Sequence, residues 1–284
     1  MAAKTKAAPS KAPENKTAVM PERKNQNILL LILTISFTAT SMLASAQPIL
    51  VNILVNVLLP TVIMIVCRMV FFEKMKLATL MLLRIAIVFA VFNILNRQFF
   101  VTLVLIFLAI NILEATFTDI FRYKKYLNGI SGLALAASIV FLRGSWIDLT
   151  GLTQLGFFAK YMHMYEFHAA TAAGTICWII AYTIWNWVFV TNEFSDSVAK
   201  LHVGILASPI LGCLVTWNPG FWLAFRAGSL AFGGCMQIAE KDYIEESLHS
   251  SKFAAFVAAT KKPGMQVAFM VINLALIAVA CFVK

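Results

Sequence analysis

The chain has 284 residues, 61% of them hydrophobic and 13% charged, with a formal net charge of +10, and its mean hydropathy is +0.83. A soluble domain is about one quarter charged, so this composition excludes that class and predicts residence in a bilayer. The basic residues are spread over short connections instead of one face, which predicts contact with anionic headgroups on the cytoplasmic side and no nucleic-acid partner.

In chain order, residues 1–26 are rich in Lys, Ala and Pro, lack apolar periodicity and read as a disordered basic cytoplasmic tail. Residues 27–284 read as a single integral membrane domain. A hydrocarbon core of about 30 Å takes roughly 20 apolar helical residues. Nine such windows follow, at 28–46, 49–67, 77–95, 99–118, 126–142, 167–191, 201–217, 220–239 and 265–283. Their continuous apolarity favours helices, which satisfy their own backbone, over the alternating strands of a barrel. The predicted fold class is therefore all-α: a polytopic transmembrane helix bundle of about nine spans.

The basic residues orient it. With the N-terminus cytoplasmic and the C-terminus on the opposite side, 17 of the 23 Lys and Arg fall on the cytoplasmic side. Arg97, Arg143, Lys160 and Lys284 fall on the other, and Arg84 and Arg226 lie inside spans. Only Gln47 and Pro48 separate the first two spans. A re-entrant hairpin there would leave seven crossings with the same parity.

Along the second span, Asn52, Asn56 and Pro60 form a stripe that predicts a kink or polar seam. The connection 143–166 carries Trp146, Leu149, Leu152, Leu155, Phe157 and Phe158, too apolar for a free loop, and is expected to be interfacial or re-entrant. The connection 240–264, with Leu248, Phe253, Phe256 and Val257 beside Lys252, Lys261 and Lys262, is expected along the inner membrane surface. Ala170, Gly174, Ser208, Gly212, Gly228 and Gly233 suggest close approach of the sixth, seventh and eighth spans.

Ionisable groups at membrane depth are costly and usually face a bundle interior, paired. Toward the cytoplasmic side, Arg84 and Glu114 are expected at similar depth as an ion pair, with Asn111 one turn from Glu114 and Asn186 nearby. That pair has a bland reading, in which it sets helix register, and a functional one, in which it lines an ion or substrate pathway. Toward the opposite side, His163, Glu166 and His168 form the densest titratable run, near Arg226. A pairing of Glu166 with Arg226 would join the sixth and eighth spans, and either His is a candidate for proton handling. On one regular helix the three cannot converge on a metal, so no metal site is predicted.

The five cysteines lie in or at the ends of spans with no CxxC pair, and no nucleotide, hydrolase or dinucleotide motif occurs, so no cofactor is expected. Three functions fit. The favoured one is a secondary transporter or permease for a small polar or charged solute, in which Arg84, Asn111, Glu114, Asn186, Glu166 and Arg226 supply the pathway. An intramembrane enzyme acting on a lipid or lipid-linked substrate would use His163, Glu166, His168 and Arg226. A membrane scaffold or assembly factor would pair every buried charge.

Overall fold

The computed structural model describes residues 22–69, 71–149 and 161–283. Among them are eleven helices: α1 (Gln26–Ala46), α2 (Leu50–Val66), α3 (Phe71–Val91), α4 (Arg97–Arg122), α5 (Tyr126–Phe141), α6 (Ala172–Glu193), α7 (Asp196–Thr216), α8 (Trp222–Ala239), α9 (Lys241–Ser247), α10 (Ser251–Thr260) and α11 (Pro263–Phe282). Five of these, α1, α4, α6, α7 and α11, are long and apolar enough to cross a membrane. The helices α2 and α5 are apolar and shorter. Rows of exposed apolar side chains, such as Ile28, Leu31, Ile32 and Ile35 on α1, cover the outside, which marks a membrane-facing surface.

The chain is not all-α. Residues 143–166 were expected to form an interfacial or re-entrant segment, with a helix from 167. Instead β1 (Arg143–Asp148) and β2 (His163–His168) pair antiparallel, with Arg143 opposite His168 and Asp148 opposite His163. Alternation explains the strand: Tyr165 and Phe167 point to one face and are both buried. A Cβ at Gly144 would collide with Val101, so β1 can lie directly on α4 because it carries glycine there. The helix begins only after Thr171, whose hydroxyl accepts the Gly174 N–H at 3.0 Å as an N-cap. Leu152, Leu155, Phe157 and Phe158 lie outside the described residues.

The hairpin sits over an aromatic core. Trp222 stands edge-on to Tyr182 with centroids 4.9 Å apart, and Phe167 meets Trp178 at 5.5 Å. Such pairs add about 0.5–1.5 kcal/mol each beyond their burial. Trp178 Nε1 donates to Ser138 Oγ at 2.8 Å, which satisfies the indole and ties α6 to α5.

The small residues act between more helices than the sequence suggested. Gly212 of α7 makes room for Phe225 of α8, and Gly233 of α8 for Ile205 of α7. Gly228, however, faces α1, where an added Cβ would stand 3.0 Å from Ser41 Cβ, and Gly174 faces Ala280 of α11.

In α2 the expected seam is a π-helical turn over Leu54–Leu58. Pro60 cannot donate to the carbonyl four residues earlier and its ring crowds it, so the preceding turn widens. At the chain's start, residues 1–21 lie outside the described residues. The last residues of the expected tail are held: Arg23 pairs with Glu246 at 2.6 Å and the Glu22 carboxylate accepts the Ser251 N–H. The connection 240–264, expected along the inner membrane surface, is helical. It forms α9 and α10, with Leu248 and Val257 buried against the bundle and Phe253 and Phe256 on Trp187.

Candidate functional site

Two adjoining pockets, of about 300 and 680 Å³, lie between α3, α4, α6 and α8. They share Lys76, Leu80, Asn111, Tyr182, Arg226 and Leu230. The smaller is bounded at the hairpin end by Tyr165 of β2 and lined by Arg84 and Glu114. The larger runs past Asn186, His202 and Gln237 to Arg122 and Glu193 at the other end of the bundle. Thus Arg84, Asn111, Glu114, Asn186 and Arg226 line one cavity system, and Glu166, His163 and His168 do not.

Arg84 is only 3% exposed. Its Nη2 donates to the Ala224 carbonyl of α8 at 3.0 Å, while Nη1 is buried with no hydrogen-bond partner among the described residues. Asn52 Nδ2 donates to the Arg84 carbonyl at 2.9 Å and to the Pro48 carbonyl at 3.0 Å, and its Oδ1 accepts from Asn56 Nδ2 at 3.1 Å. The polar seam of α2 therefore serves to hold the backbone that carries Arg84.

Arg84 and Glu114 do not form the expected ion pair. The third helix begins at Phe71 and ends at Val91, against the predicted 77–95, and the fourth begins at Arg97 instead of 99, so Arg84 lies nearer their common turn and Glu114 farther from it than the sequence implied. Arg84 is seven residues before the end of α3, whereas Glu114 is seventeen after the start of α4. Because these helices run antiparallel from a common turn, that offset is ~15 Å. Glu114 lies instead within electrostatic reach of Lys76, and its Oε1 is buried without a hydrogen-bond partner among the described residues.

Arg226 does not meet Glu166. It is 3% exposed, its Nη2 donates to Asn186 Oδ1 at 3.2 Å, and its guanidinium stands 5.8 Å from the Tyr182 ring centroid. Its Nε and Nη1 are buried without partners among the described residues. Arg226 is four residues into α8 and Asn186 fourteen into α6, so their bond sets the first turn of α8 well below that of α6, beneath the hairpin. Arg226 thereby leaves the expected group of His163, Glu166 and His168 and joins Asn186, Asn111, Glu114 and Arg84 around the cavity. Each buried donor left without an acceptor costs about 1–3 kcal/mol, and three guanidinium nitrogens here are without one among the described residues.

The hairpin cluster is tied up locally. His163 and Glu166 fall on opposite faces of β2. Glu166 accepts from Ser145 Oγ at 3.0 Å and from Asn218 Nδ2 at 3.2 Å, which anchors the Trp217–Gly220 turn to the hairpin. His163 Nδ1 lies 2.5 Å from Asp148 Oδ1, and Asp148 also accepts from Trp146 Nε1 at 3.0 Å and Arg97 Nη1 at 3.3 Å. Partial burial works against the Asp148 charge, but the bonds from His163 and Trp146 and the Arg97 charge outweigh it and hold the carboxyl below its usual range. No group of three His, Cys, Asp or Glu suited to a metal occurs among the described residues.

At the far mouth, Tyr123 Oη donates to Glu193 Oε2 at 2.6 Å and Arg122 Nη1 lies 3.8 Å from Glu193 Oε1. Burial and the neighbouring Glu193 carboxylate push the Tyr123 phenol up to about 12. Sequence reasoning did not single out Lys76, Tyr165, Tyr182 or His202. His202, with Nε2 2.9 Å from Gln237 Oε1, sits in α7 among apolar neighbours, and no spacing ties it to the other lining residues.

Residues 24–284 match the model of DUF5692, a family of unknown function. The chain belongs to that family. The matched span of DUF5692 takes in every element that builds the cavity, from α1 to α11. No curated protein and no solved structure matches the chain.

Proposed function

We propose that this protein crosses the membrane about nine times, with its N-terminus cytoplasmic, and carries a small charged solute through the cavity between α3, α4, α6 and α8. The reading is supported above all by Arg84 and Arg226: both are buried, both line the cavity, and both keep guanidinium N–H groups without acceptors. A scaffold has no use for such groups, because an unpaired buried charge only lowers its stability. Transporters build their sites from interior polar groups near mid-membrane. The lining charges, Lys76, Arg84, Arg122 and Arg226 against Glu114 and Glu193, leave a positive balance, so the solute is an anion.

In this reading the Tyr123–Glu193–Arg122 contacts close the cytoplasmic mouth and the hairpin closes the other. The test is accessibility from each side. In a background without the native cysteines, Asn111→Cys and Leu230→Cys are exposed in sealed vesicles to a membrane-impermeant maleimide from one face at a time. A carrier predicts labelling from both faces, lowered when solute is bound. Labelling from one face alone, or from neither, contradicts it.

A further inference from the structure

Resting on the carrier reading, we propose that the solute is an amphiphilic anion: a phosphate or carboxylate head held by Arg84 and Arg226, and a single apolar chain lying between α3 and α4. The head follows from the unpartnered N–H groups. Arg84 and Arg226 both line the smaller pocket, and Arg84 reaches the Ala224 carbonyl of the helix that carries Arg226, so both guanidiniums border one cavity. Guanidinium suits carboxylate and phosphate because its N–H groups match the oxygens in pairs.

The chain follows from the walls. Around the arginines the smaller pocket is lined by Leu83, Ile87, Phe100, Val104, Phe107 and Leu108. A bare hydrated anion gains nothing from such a wall and loses its solvation there. An apolar chain gains in proportion to the area it buries. Pockets of about 300–1,000 Å³ hold ligands of modest size, which fits one chain better than a two-chain lipid.

The route follows from α4. Phe107, Ile110, Glu114, Phe117 and Phe121 recur at three- and four-residue spacing on its cavity side. Of these, Ile110 is 53%, Phe117 45% and Phe121 68% exposed. The cavity is thus bordered by apolar side chains open to the surroundings, where acyl chains lie, and the amphiphile enters sideways from the bilayer with its head following the charges inward.

The experiment measures equilibrium binding to the full chain in nanodiscs of zwitterionic lipid, with empty nanodiscs as the baseline. Dodecyl phosphate and laurate are compared with inorganic phosphate and acetate, which carry the head without the chain, and with dodecyltrimethylammonium, which carries the chain with the opposite charge. Saturable binding of the two chain-bearing anions, tighter by about tenfold or more than either head alone, is expected. Arg226→Gln should weaken it by about tenfold or more. Leu83→Trp, which leaves both arginines in place and fills the apolar wall, should weaken the chain-bearing anions and leave inorganic phosphate unchanged.

Equal affinity for inorganic phosphate and dodecyl phosphate would overturn the inference while leaving a carrier of small anions. Equal affinity for dodecyltrimethylammonium, or no saturable binding, would overturn it as well. Amphiphile binding without two-sided cysteine labelling would instead defeat the carrier reading and leave the ligand assignment standing.

Discussion

Asn186 shows how one uncharged side chain sets up a buried charge. Its Oδ1 is the acceptor for Arg226 Nη2, and the neighbouring Tyr182 ring faces the same guanidinium. Asn186→Ala removes the acceptor without touching the arginine, so a further N–H joins those already unpartnered. The expected loss is about 1.5–3 kcal/mol, the range for a hydrogen bond to a charged group, read as a lower unfolding temperature in detergent. A saturating anionic ligand should recover part of that loss by binding the folded state. From the sequence, Asn186 was legible as a polar residue between Trp185 and Trp187. Its partner was not, because helical spacing orders residues along one helix and says nothing of how deep a neighbouring helix starts. The missing information was the sunken first turn of α8, held by Trp222 under Phe167.

At the scale of elements, the helical windows were legible because an apolar run of about 20 residues has few alternatives in lipid. The hairpin was not. Six-residue strands inside an apolar, aromatic connection carry too short an alternation to outweigh its reading as an interfacial or re-entrant segment, and Tyr165 and Phe167 declare their face only when Phe100, Trp178 and Trp222 are in place. The start of α3 was missed for a related reason: Lys74 and Lys76 read as a loop, yet the helix continues through them. What separates Arg84 from Glu114 is the other end of α3, which stops at Val91, four residues before the predicted 95, so Arg84 sits nearer the turn into α4 than expected.

The hairpin carries a pH prediction. Asp148 has a carboxyl held below its ordinary value in the folded state, so its contribution is present above the unfolded value of about 3.9 and is lost as pH falls through the lower folded one. Backbone amides of Arg143–Asp148 and His163–His168 should hold their exchange protection at pH 6 and lose it as the pH drops below about 4. Asp148→Asn should weaken protection already at pH 6. Protection that stays constant across this range would show that the Asp148 contacts do not hold the strands together.

For the whole molecule, α1 packs on α7 and α8 and α11 packs on α6, while α3 and α4 border the cavity with exposed apolar side chains. The tightly packed helices form a frame, and the loosely joined pair forms its open side. Gly228 against Ser41 and Gly212 against Phe225 hold α8 and Arg226 within that frame, while Arg84 sits on α3, which is held to α2 by Asn52 and to α8 by its own bond to the Ala224 carbonyl. Movement of α3 against a fixed α8 would change the spacing of the two guanidiniums, which is the kind of change that couples a bound anion to opening at one end. The measurement that tests this account most directly is flux. Purified protein reconstituted in liposomes should release trapped radiolabelled dodecyl phosphate in a saturable manner, and a folded Arg84→Gln/Arg226→Gln double variant should release it no faster than protein-free liposomes. Release by that double variant at the wild-type rate, or none by the wild type, would contradict a path through the arginine-lined cavity.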